Sequence, residues 1–206
     1  MPVPVGNMID NRAPAGYNYP MKNLGTQELK TERLTLRAFR VSDAEEMFAN
    51  WANDPEVTKY LTWQPHGDVS VTRQLLALWE EEAKKPETYN WAMVHEGELI
   101  GNVSILNVND FQEKGTLGYC MAKKRWGKGL MSEAVKEVLR FCFEEVGFAR
   151  VSGEYAAPNI GSGRVQEKCG LSYEGTRRKF FRLPSTGERV DIVMRGITKE
   201  DYFSRK

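Results

Sequence analysis

Met121-Ala122-Lys123-Lys124-Arg125-Trp126-Gly127-Lys128-Gly129-Leu130-Met131 is the stretch on which the fold turns. Up to Met121 the apolar residues alternate, with Leu117, Tyr119 and Met121 on one side, the pattern of a half-buried strand. Beyond Gly129 the spacing lengthens to that of a helix. Met131, Ala134, Val135, Val138, Leu139, Cys142 and Val146 fall on one face, while Glu133, Lys136, Glu137, Arg140 and Glu144 fall on the water side. Two glycines at a strand-to-helix junction let backbone N–H groups turn towards one point, and the helix N-terminus adds positive potential there. A phosphate is the natural guest. Lys124, Arg125 and Lys128 add mobile cations suited to a pyrophosphate and a further phosphate. Read alone, the segment is equally a glycine-rich turn with solvated lysines.

Two other phosphate motifs fail against these residues. A Walker loop needs Ser or Thr after its Gly-Lys pair, but Gly129 follows Lys128 and Ala122 stands in the place of the first glycine. A dinucleotide fingerprint starting at Gly127 needs a third glycine where Ser132 stands. ATP and NAD are therefore poor guests.

Downstream, Gly147 is placed to end the helix in a left-handed turn. Val151, Gly153 and Tyr155 alternate as a second strand, Pro158-Asn159 opens a short helix, and Gly170 closes it. Two last strands surround Pro184-Ser185-Thr186-Gly187, the second with Val190, Ile192 and Met194 on one face. Upstream, Leu34, Leu36 and Ala38 alternate as a strand. Ser42 has Glu45 three residues on, a capping box for a helix whose inner face is Ala44, Met47, Phe48 and Trp51. A second helix is expected over Ser70 to Lys84, with Leu75, Leu76, Leu78 and Trp79 inward. Trp91–Val94, the turn Glu96-Gly97 and Leu99-Ile100 predict a hairpin. The order implies an α/β domain with a mixed, mostly antiparallel sheet flanked by helices.

Residues 1–28 hold Pro2, Pro4, Pro14, Pro20, Gly6, Gly16 and Gly25 and no regular period, so they are expected to be an extension, with the domain over 29–206. Tyr17, Tyr19, Met21 and Leu24 would pack on the body, on a partner subunit, or on neither. The whole chain has 206 residues, with 29 Lys plus Arg against 28 acidic residues, so no overall charge draws it to nucleic acid or membrane. Three cysteines without a Cys-x-x-Cys and two isolated histidines, His66 and His95, imply neither a disulfide framework nor a metal site. No basic leader and no run of ~20 apolar residues is present, which reads as a soluble cytoplasmic protein.

Taken together, these segments resemble the GNAT family of N-acetyltransferases, and within it the branch that acetylates ribosomal-protein N-termini. The family loop reads Gln/Arg-x-x-Gly-x-Gly/Ala. Gly129 is its central glycine, whereas Trp126 and Met131 depart from it. Trp126-Gly127-Lys128-Gly129 and Ser132-Glu133-Ala134 are familiar in the ribosomal branch. So are Thr31-Glu32-Arg33-Leu34, Asn53-Asp54-Pro55-Glu56-Val57, Gly97-Glu98-Leu99-Ile100-Gly101 and Pro158-Asn159-Ile160-Gly161-Ser162. The resemblance implies acetyl-CoA as co-substrate, no metal, and a central parallel strand pair that splays near Met121 and Tyr155 to admit the pantetheine arm.

It also implies roles. Met121 would bond that arm and polarise the thioester carbonyl, while Arg125 and the amides of Trp126, Gly127, Lys128, Gly129, Leu130 and Met131 would hold the pyrophosphate. Asn159 would contact the pantetheine or acetyl end, beside its plain use as a helix cap. The broader family's tyrosine acid is replaced by Gln166, so Ser162 takes the thiol-facing role, with Tyr155 and Tyr173 as fallbacks and backbone capping as its bland alternative. Glu154 and Asp191 are the candidate bases, although strand carboxylates more often serve as salt-bridge groups. Cysteine catalysis at Cys120 lacks a His partner. Arg177, Arg178, Lys179 and Arg182, interleaved with Phe180 and Phe181, read first as a solvated basic strand, with no direct nucleic-acid contact expected. The expected acceptor is a primary amine such as a ribosomal or other protein N-terminus. A small-molecule acceptor (an antibiotic or polyamine), or a non-catalytic acyl-CoA-binding module, stays open, as does a homodimer.

Overall fold

Alternating apolar residues from Leu29 to Ile197 build one eight-stranded sheet in the computed structural model, which describes residues 21–205. The strands are β1 (Leu29–Lys30), β2 (Leu34–Ala38), β3 (Tyr89–His95), β4 (Glu98–Asn109), β5 (Lys114–Met121), β6 (Arg150–Ala156), β7 (Ser172–Arg182) and β8 (Arg189–Thr198). Their order is β1-β2-β3-β4-β5-β6-β8-β7, and every neighbouring pair is antiparallel except β5 and β6. The helices are α1 (Ala44–Met47), α2 (Pro55–Thr58), α3 (Val69–Glu82), α4 (Leu130–Arg140), α5 (Ile160–Lys168) and α6 (Lys199–Phe203).

Period-2 burial splits the core into two layers. Trp91, Met93, Ile100, Leu117 and Met121 pack on the stripe of α4 (Ala134, Val135, Val138 and Leu139). Ala92, Leu99 and Ala122 pack on the other face, against Ala44, Met47, Trp51 and Leu76 of the α1–α3 layer. The α4 rod runs on as a wider π-type turn at Phe141–Val146, and Phe141, Cys142 and Phe143 are all buried there. Three consecutive inward residues do not fit the narrow stripe of an α-helix, so the widened turn matches the sequence. Gly147, at φ 96°, ends it. The Glu96-Gly97 hairpin turn has φ 53° and 82°, the two positive values of a two-residue turn matched to strand twist.

Three expectations change. Ser42 caps nothing: Asp43 accepts from the Arg40 amide at 2.9 Å and from both ends of the Arg37 guanidinium at 2.8 Å, while Glu45 pairs with Arg73. Asp43 is nearly buried, so a charged partner held that close outweighs the local cap at Ser42. α3 begins at Val69, one residue before the expected Ser70, from an Asp68 cap. Its Leu78 is 63% exposed, because Leu76 and Thr72 one turn apart already fill the contact line. Of the placements left open for the extension, residues 21–28 take the first and pack on the body. Met21 is in the core, the Lys22 amide donates to Val146 O at 2.8 Å, and the Trp91 indole donates to Gln27 O at 2.6 Å. Tyr17 and Tyr19 lie outside the described residues.

Candidate active site

The parallel pair is where the sheet opens. β5 and β6 pair from Lys114↔Arg150 to Leu117↔Gly153 and no further, although β5 continues to Met121 and β6 to Ala156. Each arm stays zipped to its other neighbour, β5 to β4 as far as Met121↔Gly101, β6 to β8 as far as Ala156↔Ile192. The result is a fork whose inner edges carry backbone groups without a ladder partner. The Ala122 amide turns outward to Ile100 O at 2.8 Å, so strand alternation turns the Met121 amide into the fork. The Met121 carbonyl accepts from the Trp126 indole at 2.7 Å. Trp126, expected to contribute an amide, thus also latches the mouth of the fork with its side chain.

The glycine loop follows directly. Gly127 and Gly129 have φ 75° and 79°, and Gly129 enters α4 as a left-handed cap without a side chain. The first intrahelical bond is from the Glu133 amide to Gly129 O at 3.0 Å, so the N–H groups of Leu130, Met131 and Ser132 end the helix without intrahelical acceptors. Their dipole end points out of the loop. The expected mobile cations are sorted by the structure. Lys124 and Arg125 both pair with Glu98 at the start of β4, and Lys124 also donates to Asn50 Oδ1 at 2.9 Å. Arg125 is therefore tied down, and its pKa is raised chiefly by the Glu98 hydrogen bond. Lys128 is exposed and, among the described residues, has no carboxylate partner.

Glu133, expected to face water, is instead a clamp. Its carboxylate accepts from Thr31 Oγ1 at 2.6 Å, from the Arg33 amide at 2.9 Å and from Arg33 Nε at 2.7 Å, while Arg33 also reaches Lys128 O at 3.2 Å. Burial works against its charge, but these donors prevail and hold its pKa below the usual carboxylate value. The sequence similarities at Thr31–Leu34 and Ser132–Ala134 thus meet in one contact.

On the far arm, Asn159 caps α5, its Oδ1 accepting from the Ser162 amide at 3.3 Å. Ser162 Oγ lies 2.8 Å from the hydroxyl of Tyr119, a β5 residue that alternation had marked only as core. Tyr155 packs on Gly163 of the same turn, where a Cβ would come within 2.7 Å of its ring and hydroxyl. Gln166 is buried over Gly153, the last β6 residue paired with β5, and its amide N and O complete no hydrogen bond of ordinary geometry. Tyr173 stands apart on exposed β7, its hydroxyl 3.1 Å from Thr176 Oγ1.

The two candidate bases are not brought together. Cross-strand partners share a face, so Ala156↔Ile192 and Tyr155↔Val193 put Glu154 and Asp191 on opposite sides of the sheet. Glu154 lies on the α1–α3 side, 42% exposed and 3.4 Å from Arg177. Asp191 accepts from the Lys179 amide at 2.7 Å, where β7 bulges and Lys179 has φ 50°. On the α1–α3 side, the segment after α2 meets the β7–β8 turn through Gln64 to Pro184 O at 2.7 Å and Ser185 to Lys59 O at 2.8 Å. The three cysteines are free thiols, with Cys120 pushed up to about 12 by burial. Among the described residues no group of His, Cys, Asp and Glu is placed to hold a metal, and no helix is long and apolar enough to cross a membrane.

Comparison with known proteins agrees with this geometry. Residues 33–172 match the acetyltransferase (GNAT) domain model. The chain is 27% identical over 178 residues to an uncharacterized N-acetyltransferase, p20, of Bacillus licheniformis, covering 85% of this chain and 98% of that one. It is 26% identical over 192 residues to the [ribosomal protein uS5]-alanine N-acetyltransferase of Escherichia coli, covering 87% and 95%. A solved GNAT-family acetyltransferase from Bacillus anthracis superposes with a TM-score of 0.73 at 26% identity, covering 84% and 99%.

Proposed function

This chain belongs to the GNAT acetyltransferases, and from that premise we propose that it carries the acetyl group of acetyl-CoA to a primary amine, a protein N-terminal α-amine above all. The observation that bears most weight is the fork between Gly118–Met121 and Glu154–Ala156, with the anion loop at the end of one arm and Ser162 at the other. An extended pantetheine arm has the amide groups to pair with unladdered strand edges. Its pyrophosphate would meet the α4 N-terminus, with Lys128 as the cation near it. Arg125 contributes by shaping the loop through Glu98. Asn159 keeps both roles, capping α5 and lining the acetyl end.

The amine nitrogen attacks the thioester carbon, and the Met121 amide stabilises the oxyanion. Carbon–sulfur cleavage follows, with Ser162 facing the sulfur. Bound geometry supplies most of the rate, by holding two reactants in one place. With residues 41–90 taken as the acceptor-side wall, Glu154, on that face, suits the base better than Asp191, which lies on the other face and accepts from the Lys179 amide. An α-amine, with a pKa of about 7.7–8.0, needs only weak assistance, whereas a lysine near 10.4 needs more. That difference favours the protein N-terminus, as does the likeness to an enzyme named for ribosomal-protein alanine acetylation.

A peptide carrying both a free α-amine and an internal lysine tests the choice of acceptor. Fragment mass spectrometry after incubation with acetyl-CoA is expected to place the acetyl group on the N-terminal residue. Modification of lysine alone, or of polyamines but no peptide, would reject the α-amine reading.

A further inference from the structure

Tyr119 has no part in the chemistry above, yet its hydroxyl ends 2.8 Å from Ser162 Oγ and 3.0 Å from the Ser162 carbonyl oxygen. Its side chain leaves β5 on the same side as Leu117 and Met121 and reaches the first turn of α5 across the open fork. Tyr155 approaches that turn from β6, and Gln166 lies at the vertex over Gly153. The thiol-facing serine is therefore held from both arms.

A hydroxyl has one proton to give and two lone pairs to receive. If Ser162 donates to Tyr119, nothing is left for the sulfur. The Ser162 carbonyl can only accept, so the Tyr119 proton points at Ser162; shared between that carbonyl and Oγ, it leaves the serine proton free to turn into the fork. Resting on the acetyl-transfer reading, we propose that Tyr119 is a positioning residue: it donates to Ser162 Oγ and so aims the Ser162 O–H at the sulfur of departing coenzyme A. The carbon–sulfur bond breaks, its electron pair stays on sulfur, and the thiolate leaves as an anion hydrogen-bonded to Ser162. The surplus proton of the attacking nitrogen goes to the base or to water, and the thiolate is protonated from solvent.

No proton crosses from Tyr119. Burial pushes its hydroxyl up to about 12, against hydrogen bonding by Ser162 and Gln166, although the residue is only half-buried. The titratable groups facing it, Cys169 beyond α5 and Tyr155 on β6, push the same way. An ordinary thiol near 8.5 holds its proton more weakly by a factor of roughly 10³. Tyr119 therefore keeps its proton and acts through direction alone.

Tyr119→Phe retains the ring and deletes the donor. We expect kcat for amine-dependent thiol release to fall about tenfold or more, while KM for acetyl-CoA stays within about threefold. In a Ser162→Ala background the same change should alter kcat less than about twofold, since its target is gone. Acetyl-CoA-induced rises in Tm establish that each variant is folded. Replacing Tyr119 with a fluorinated tyrosine supplies a second measurement that keeps the ring. A more acidic phenol should bring a new alkaline limb into the kcat profile, because an ionised phenol cannot donate.

Wild-type kcat in Tyr119→Phe, full independent losses in the double variant, or a flat profile in the fluorinated protein would each overturn the proposal. A wild-type alkaline limb below pH ~10 that Tyr119→Phe abolishes would make Tyr119 the acid instead. Wild-type protein that binds acetyl-CoA but releases no thiol with any amine overturns the acetyl-transfer reading, and this inference with it.

Discussion

At Glu133 three donors converge on one carboxylate, joining the start of β2 to the first turn of α4. Hydrogen bonds to a charged group contribute about 1.5–3 kcal/mol each when buried and less when partly wet. Glu133→Gln should therefore lower stability by about 1–2 kcal/mol and weaken acetyl-CoA binding by loosening the loop. Because the carboxyl pKa is depressed in the folded protein, the unfolded chain binds the extra proton first. The stabilisation is complete above the unfolded value of about 4.3 and is lost as pH falls through the lower folded value. Urea titrations of both proteins across that window should converge at its acid end. A gap that persists at low pH would remove the charge from the explanation. Gly129→Ala tests the loop differently. A Cβ there would meet only Arg33 Nη2, at 3.7 Å, so the cost is the left-handed backbone, about 1–2 kcal/mol, and not a clash. Tm should fall by roughly 2–8 °C, with acetyl-CoA affinity falling too. Unchanged affinity would place the anion elsewhere. The glycines were legible in the sequence because only turn geometry explains them. The Glu133 clamp and the Tyr119–Ser162 contact were not, since each pairs residues far apart in the chain and reads locally as a solvated charge or a core ring.

Helices show how far periodicity reaches. The α4 stripe is legible in the sequence, because seven apolar positions repeat at helical spacing over more than four turns, although Phe141 and Phe143, buried at the widened turn, fall outside it. α3 is shorter on apolar residues, and its Leu75-Leu76-Ala77-Leu78-Trp79 run offers two faces of similar hydrophobicity. Tertiary contact chose Leu76, fully buried against α1 and β3, and left Leu78 exposed. Leu76→Ala should cost about 2–5 kcal/mol, whereas Leu78→Ala should stay within about 0.5 kcal/mol. Chemical denaturation of the two variants checks the assignment, and equal losses would refute it. The Ser42 cap failed for a related reason. A short-range box was outcompeted by Asp43, whose guanidinium partner on β2 no local pattern reveals.

Across the whole molecule, the proposed function rests on the place where the pairing of the two parallel strands stops. Seven strand pairings hold eight strands together, and the parallel one alone stops short, at Leu117↔Gly153. The strands other than the two-residue β1, the hairpins and the strand-helix-strand unit are visible as alternating and helical periods. The splay itself was reached only through the family resemblance, because an unpaired strand edge has the same side-chain pattern as a paired one. Which carboxylate lies on the proposed acceptor side was likewise hidden. Glu154 and Asp191 look alike in sequence, and only their register across β6 and β8 puts them on opposite faces. The fork, the anion loop and Ser162 together predict a ternary complex in which thiol appears only when an amine is present. Thiol release from saturating acetyl-CoA, measured with and without a panel of N-terminal peptides and small amines, tests this most directly. Saturable release that depends on a primary amine is expected. Tight coenzyme A binding with no amine-dependent release from any member of the panel would contradict it.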